Sequence, residues 1–419
     1  MNKKLVAVAV AGMLAAPLAA QAQTANVTLY GRLNLDMEVV NAKQDAAIGL
    51  PNANPSFNKT NAFLIQSNSS RLGVRGSEAL GGGLSAIFQI ESAVGATNGG
   101  GLGSTLGTRE TFAGLQGAWG TAKIGYFLGP YDDIAPIWGS VPTLITGILG
   151  TSALWSNTGW AGNSQYGGAF DDRLANSVRY DSPNIAGFTG SIQIGAGQTG
   201  GDATNGGGVL NPNTPTTQAA QRRHAYATSV NGLYSNGPFQ GGVAYEFHNN
   251  FRQGLPGNEK LQDQGVTAAA NWNFGVVKVG GVFERLKYDI ATGGTLQRNF
   301  WGGSVTWNVG PGQLYGMFGQ AQNGSGSAAD GSQVGAVRKG SNTSAQQYEV
   351  SYTYALSKRT LTYVGYNMIA NRSNGAYNFH VNQINGLCGQ LANGNTVAGG
   401  NCGDSAKPQG LAFGLVHFF

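Results

Sequence analysis

From Asn26 to Val39 the chain alternates without a slip. Val27, Leu29, Leu33, Leu35, Met37 and Val39 fall on one face, and Thr28, Tyr30, Arg32, Asn34, Asp36 and Glu38 on the other. Successive side chains of a strand point to opposite faces, so this pattern predicts a strand with one apolar and one polar side. Leu84, Ala86, Phe88 and Ile90 repeat it against Ser85, Gln89 and Glu91. Read this way, the chain predicts strands over 26–39, 63–75, 84–92, 109–117, 121–127, 175–181, 187–197, 223–235, 238–250, 263–273, 276–290, 298–308, 313–322, 344–355, 361–371 and 410–419. Sixteen strands result. Short Gly-, Pro- and Asn-rich turns such as Asn236-Gly237 alternate with long connections over 41–60, 98–107, 128–173, 199–221, 251–262, 324–342 and 372–408. That asymmetry marks an up-and-down antiparallel meander, and sixteen strands close a barrel around a water-filled channel.

The connection over 128–173 stands apart. A structureless stretch that long inside a compact fold is either functional or disordered. Asp132, Asp133, Trp138, Trp155 and Trp160 argue against disorder, which tends to lack aromatics. We expect this segment to fold back into the barrel and narrow it.

Composition fits a barrel in lipid. Glycine supplies 68 of 419 residues, about 16% against a usual 7%. Only 11% of residues are charged, well below the roughly 25% of soluble domains. Asn2-Lys3-Lys4, the apolar run Leu5 to Leu18 and Ala20-Gln21-Ala22 read as a cleaved export signal over 1–22, followed by a barrel over 23–419. The run is too short for a spanning helix, which needs about 20 residues. Removing Lys3 and Lys4 with the signal lowers the formal charge from +5 to +3. That excess is too small to indicate a nucleic-acid surface, and no nucleic-acid partner is expected.

Candidate chemistry is sparse. No phosphate-binding loop, nucleophile elbow or zinc-protease helix motif occurs, so no enzyme and no cofactor are expected. His224, His248, His380 and His417 are scattered and assemble neither a metal site nor a catalytic pair. Cys388 and Cys402 admit a disulfide in an exported chain, with two free thiols as the alternative.

The arginines carry more. Arg32 lies on the polar face of its strand, and Arg71 and Arg75 share a face opposite Leu72 and Val74. A charge facing lipid at the midplane costs about 2–4 kcal/mol, so these side chains should line the channel, where basic rings select for anions. Alternation sets Arg109 opposite Phe112 and leaves Glu110 on the face of Phe112, a place we assign to a subunit contact.

Several segments together resemble the general trimeric porins of Gram-negative outer membranes, of the β-proteobacterial type. They are Val27-Thr-Leu-Tyr-Gly31, Ser70 to Leu84 with Ala86 to Glu91, Arg109 to Leu115 with Gly120-Thr121, Asn176 to Pro183 with Ala186-Gly-Phe188, Tyr354 to Thr360, and Gly414 to Phe419. The resemblance implies a sixteen-stranded transmembrane β-barrel, a homotrimer and passive diffusion of small hydrophilic solutes. Its partners would be membrane lipid, lipopolysaccharide, the outer-membrane assembly machinery and small anionic or neutral solutes. It further implies an inward third extracellular loop facing a basic ladder, matched here by Arg32, Arg71, Arg109 and Arg173, with Arg75 and Lys123 adding to that wall. The terminal aromatic, Phe419, matches the family's barrel-insertion signal. One departure stands out: the acidic cluster usual on the loop is reduced to Asp132, Asp133, Asp171 and Asp172 near its ends, leaving an Ile- and Trp-bearing counter-wall. The expectation is an anion-biased pore. The alternatives are a solute-specific anion or organic-acid channel, a barrel displaying an adhesive loop around Cys388 and Cys402, and a soluble secreted β-protein.

Overall fold

The computed structural model describes residues 26–43, 61–97, 101–102, 106–139, 147–156, 169–196, 226–250, 261–379 and 405–419. The expected export signal, Trp160, His224, His380, Cys388 and Cys402 lie outside them. Sixteen strands form one antiparallel sheet. In chain order they are β1 (Asn26–Lys43), β2 in two parts (Ala62–Ser67 and Arg71–Gly81), β3 (Leu84–Gly95), β4 (Thr111–Gly117), β5 (Gly120–Leu128), β6 (Arg173–Asp181), β7 (Phe188–Ala196) and β8 (Tyr226–Asn236). The second half holds β9 (Phe239–Asn249), β10 (Gln262–Asn273), β11 (Val277–Asp289), β12 (Thr295–Val309), β13 (Gly312–Ala321), β14 (Ala345–Ala355), β15 (Thr360–Asn371) and β16 (Lys407–Phe418). Each pairs with its neighbours in sequence, and β16 returns to β1, matching Arg32 with Phe418 and Lys43 with Lys407. Closure leaves no unpaired edge, which a sheet surrounded by hydrocarbon requires.

The two faces are inverted relative to a soluble barrel. Leu29 is 63% exposed, Phe63 63% and Ile124 61%, and Phe283, Trp301, Leu411 and Phe413 also point outward. Soluble proteins rarely expose contiguous apolar patches above a few hundred Å², so this belt calls for lipid. The buried positions between them are polar: Arg32, Asn34, Asp36 and Glu38 on β1, Glu246 and His248 on β9, Glu284 on β11 and Arg298 on β12. No helix among the described residues is long and apolar enough to cross a membrane.

Two local departures shape the interior. Residues Asn68 to Ser70 break β2, with Ser69 in a left-handed conformation (φ 54°). The break is held to β1: Asn68 donates its N–H to the Asn34 carbonyl at 2.8 Å, and the Asn34 N–H reaches Ser70 Oγ at 2.9 Å. A bulge of this kind re-aims the groups at its centre. The second departure is a register shift between β5 and β6, between Gly125 and Phe127. It lies where the chain leaves the sheet for the long connection and returns.

Candidate functional site

The bulge in β2 turns the Ser69 carbonyl toward β1, where it accepts from Arg32 Nε at 3.2 Å. Arg32 and Arg71 sit directly opposite each other in the β1–β2 pairing. Across β3, Glu91 gathers the neighbours: Arg109 Nε lies 2.6 Å from Oε1, Arg71 Nε 3.5 Å from Oε2, and the Tyr30 hydroxyl donates to Oε2 at 3.0 Å. Two guanidinium groups therefore share one carboxylate on the channel wall, and Arg32 lies electrostatically close to all three. Arg173, at the start of β6, is electrostatically close to Arg109 on one side and Asp132 on the other. Arg75 stands apart, its guanidinium 4.9 Å from the centre of the Tyr30 ring.

Arg109 comes to this cluster by a different route from the one alternation gave. The ladder of β4 starts only at Thr111, and Arg109 hydrogen-bonds through its backbone N–H to the Glu91 carbonyl. Its direction is set by that bond and not by strand parity. Phe112 points into the barrel, with Lys123 Nζ 5.3 Å from its ring centre. The outward placement expected for Phe112, and for Glu110 with it, is corrected: Ala113 and Leu115 take the exposed face.

Lys123 joins a second network. Its Nζ pairs with Asp181 at 3.1 Å, and Asp181 also accepts from Arg179 Nε at 2.6 Å. Arg179 in turn reaches Asp133 at 2.6 Å and the Leu128 carbonyl at 3.0 Å. Asp133 is thus held at the root of the 128–173 segment and does not stand free opposite the arginines. Close to one another, the half-buried Asp132 and the buried Asp171 have carboxyls pushed above the usual range, Asp171 to about 7, with desolvation the main cause. The Asp172 carbonyl accepts from Gly129 N–H at 3.4 Å.

The described parts of the segment lie on the polar face of the strands. A single 3-10 turn, Asp132–Ile134, leads into one α-helical turn, Ala135–Trp138, started by Pro136 and ended at Gly139. Such short turns leave carbonyls without partners, and a buried carbonyl must find one. Strand side chains supply them. Asn231 donates to Pro130 O at 2.9 Å, Asn271 to Ile137 O at 2.6 Å, Asn367 to Ile148 O at 2.6 Å and Gln347 to Gly150 O at 2.7 Å. Ser304 and Tyr315 both donate to Trp138 O, and Arg298 donates to Leu154 O while pairing with Glu284. Glu284 also accepts from Tyr131 Oη and Ser156 N–H, each at 2.8 Å.

Glycine on the same face makes room. A Cβ on Gly365 would come within 2.7 Å of Leu149 Cδ1, and one on Gly410 within 2.8 Å of Ile148 Cδ1. At the near end, Gly147 (φ +88°) abuts the Asn68 side chain at the β2 break. The expected Trp- and Ile-bearing counter-wall is corrected too. Tyr131, Trp138, Trp155, Ile134 and Ile148 are 0% exposed and packed together on the strands, with Tyr131 and Trp155 stacked at 5.5 Å. These aromatics glue the segment down and do not line a path for solute. The reading of residues alone missed Glu91 as the shared counter-ion, Arg179, and the Glu284–Arg298 pair. Glu91 was within reach, since alternation had already put it on the inner face.

A model of the Gram-negative porin family matches residues 7–374. Outer membrane porin protein 32 of Delftia acidovorans is 27% identical over 429 residues, spanning 100% of both chains. Major outer membrane protein P.IA of Neisseria meningitidis serogroup C is 29% identical over 262 residues, a match spanning 59% of this chain and 60% of that relative. Among solved structures, an anion-selective porin from Comamonas acidovorans superposes with a TM-score of 0.68 at 22% identity, covering 94% of this chain and 100% of that one. OmpT of Vibrio cholerae in its trimer form gives 0.56 at 12% identity, covering 94% and 99%. With the family match over most of its length, the chain belongs to the Gram-negative porins, as an outer-membrane β-barrel of the β-proteobacterial type.

Proposed function

We propose that this barrel is a passive channel for small hydrophilic solutes and ions, narrowed by the segment 128–173 and biased toward anions. The observation that carries the bias is the gathering of Arg32, Arg71 and Arg109 around a single carboxylate, Glu91, which pairs with Arg71 and Arg109. Two positive charges are left over on that wall, in a channel whose low-dielectric surroundings strengthen their field. Arg173 and Arg75 extend it, while Lys123 is spent on Asp181. On the opposing segment Asp133 is paired, and Asp132 and Asp171 resist ionisation, so little negative charge offsets the wall.

In this reading residues 1–22 are removed on export and three barrels assemble, as in the trimer form of OmpT from Vibrio cholerae. Phe419 on the last strand serves as the insertion signal, and lipid and lipopolysaccharide surround the trimer. Simple diffusion is preferred over a solute-specific track because, among the described residues, Tyr131, Trp138 and Trp155 are turned into the wall. Swelling of proteoliposomes decides between them. Diffusion gives rates that rise linearly with solute concentration and fall with solute size, with organic anions faster than neutral sugars of equal mass. Saturation at micromolar solute, or block by one solute, would favour the specific channel.

A further inference from the structure

Beyond the Arg71, Glu91 and Arg109 group, the channel wall carries a row that the ion bias does not account for. Arg75 on β2, Gln89 on β3 and Phe112 on β4 are direct cross-strand partners. All three face the channel, since their neighbours in sequence Val74, Ile90 and Ala113 take the outer side. The row lies toward the short turn Gly81-Gly82-Gly83, about 13 Å past Arg71 at 3.3 Å per residue. Arg75 is exposed on the channel side, and its guanidinium is 4.9 Å from the centre of the Tyr30 ring. That stack fixes the planar group and leaves its N–H edge open. Among the described residues Arg75 makes no ion pair, although Glu110 also lies near Tyr30. The half-buried side chain of Gln89 makes no hydrogen bond among them either. Phe112, half-buried too, is held edge-to-face by Phe127 with ring centres 6.0 Å apart. Lys123 Nζ lies 5.3 Å from the Phe112 ring centre and is already neutralised by Asp181.

The row therefore offers open guanidinium donors at one end, an open amide in the middle and an aromatic ring at the other end. Neighbouring strands are about 4.8 Å apart, so it spans about 10 Å. A flat solute with an oxyanion group at one end and an aromatic ring at the other matches it. The oxyanion takes paired N–H bonds from Arg75, the Gln89 amide donates to a remaining oxygen, and the ring lies against Phe112. We propose that this row is a binding subsite for aromatic monoanions, carboxylates or sulfonates, in transit through the channel. One exposed ion pair and one ring contact contribute little each, so the subsite speeds such solutes without saturating at micromolar concentration. The arginines around Glu91 distinguish charge; this row distinguishes the ring. The proposal rests on the reading of the barrel as a solute channel and is independent of the sign of its ion selectivity.

The test uses liposomes that hold the refolded full barrel and are loaded with benzenesulfonate and cyclohexanesulfonate together. Release of each is followed by chromatography, against protein-free liposomes. The two anions share charge and carbon count, and neither crosses lipid as a neutral acid; only the first has an aromatic face. Wild type should release benzenesulfonate about threefold faster, the advantage of one aromatic pair. F112L should bring the ratio close to one, and F112Y, which keeps the ring, should hold it. R75Q should slow both anions and shrink the ratio, and it tests the row without disturbing the packing of Phe112 on Phe127. W272L, on the outer face, should release both as wild type does. A wild-type ratio of one would overturn the proposal, as would a ratio unchanged in F112L or in R75Q. Failure of the channel reading looks different, because wild type would then release neither anion.

Discussion

Two places in the barrel bring arginine and glutamate together, and they do opposite things. Arg298 and Glu284 are both fully buried and matched one to one, with the Leu154 carbonyl also accepting from Arg298, and Tyr131 and Ser156 also donating to Glu284. Arg71 and Arg109 share Glu91, with Arg32 beside them as a third positive charge, and Arg71 keeps 30% of its side chain exposed. The first site is closed in charge, so it fixes position. The second is left with a surplus, so it projects a field. Residue type is the same in both; stoichiometry and solvent access assign the role.

Breaking the closed site should have the largest effect. Removing one partner of a buried pair costs about 3–5 kcal/mol because the other charge is stranded. Arg298→Met should therefore destabilise the barrel by that order, measured by urea unfolding in lipid vesicles, and should make the conductance noisy as the segment around Leu154 loosens. Pairing it with Glu284→Gln should recover much of the loss. At the open site the expectation is reversed: little stability changes, but selectivity does. A unit charge about 8 Å from a passing ion is worth about 2 kcal/mol at an effective dielectric of 20. Neutralising Arg32, Arg71 and Arg109 together should lower the anion-to-cation permeability ratio by roughly tenfold after screening. Glu91→Gln should raise it.

A smaller, graded effect should come from pH. Desolvation raises the Asp171 carboxyl to about 7, and Asp132 is raised as well. Asp171 is neutral in acid and gains charge near Arg173 as pH rises through about 7, so anion preference should decline across that range. The sign for stability is the same: a carboxyl with a raised folded pKa favours the fold below its unfolded value, and that contribution is lost as pH rises through about 7. Asp171→Asn should flatten the profile, read from reversal potentials across a pH series. The smallest change expected is steric. Gly365→Val would put a Cβ within 2.7 Å of Leu149, an overpacking worth about 1–3 kcal/mol, and should shift the unitary conductance while leaving ion preference in place.

All sixteen strands were legible from alternation because a lipid-facing side and a water-facing side impose period two on every one of them. Boundaries moved by a few residues, as at β6, which starts at Arg173. The break at Asn68 to Ser70 was not legible, since nothing in Ser69-Ser70 marks a left-handed residue. Face assignment told which arginines point inward, but not which of them meet. Glu91 and Arg109 are 18 positions apart, and Glu284 and Arg298 are 14 apart. Alternation cannot distinguish these two separations, although one pair is open and the other closed. The anchoring of the 128–173 segment was hidden for the same reason. Asn231, Asn271, Gln347 and Asn367 look like ordinary channel-lining polar residues until a carbonyl is found against each.

The reversal potential of the wild-type channel in a planar bilayer, held between two concentrations of potassium chloride, tests the central claim most directly. A surplus of positive charge at the Arg32, Arg71 and Arg109 wall predicts a potential of the sign set by chloride, shrinking as salt is raised. A potential of the sign set by potassium would contradict it.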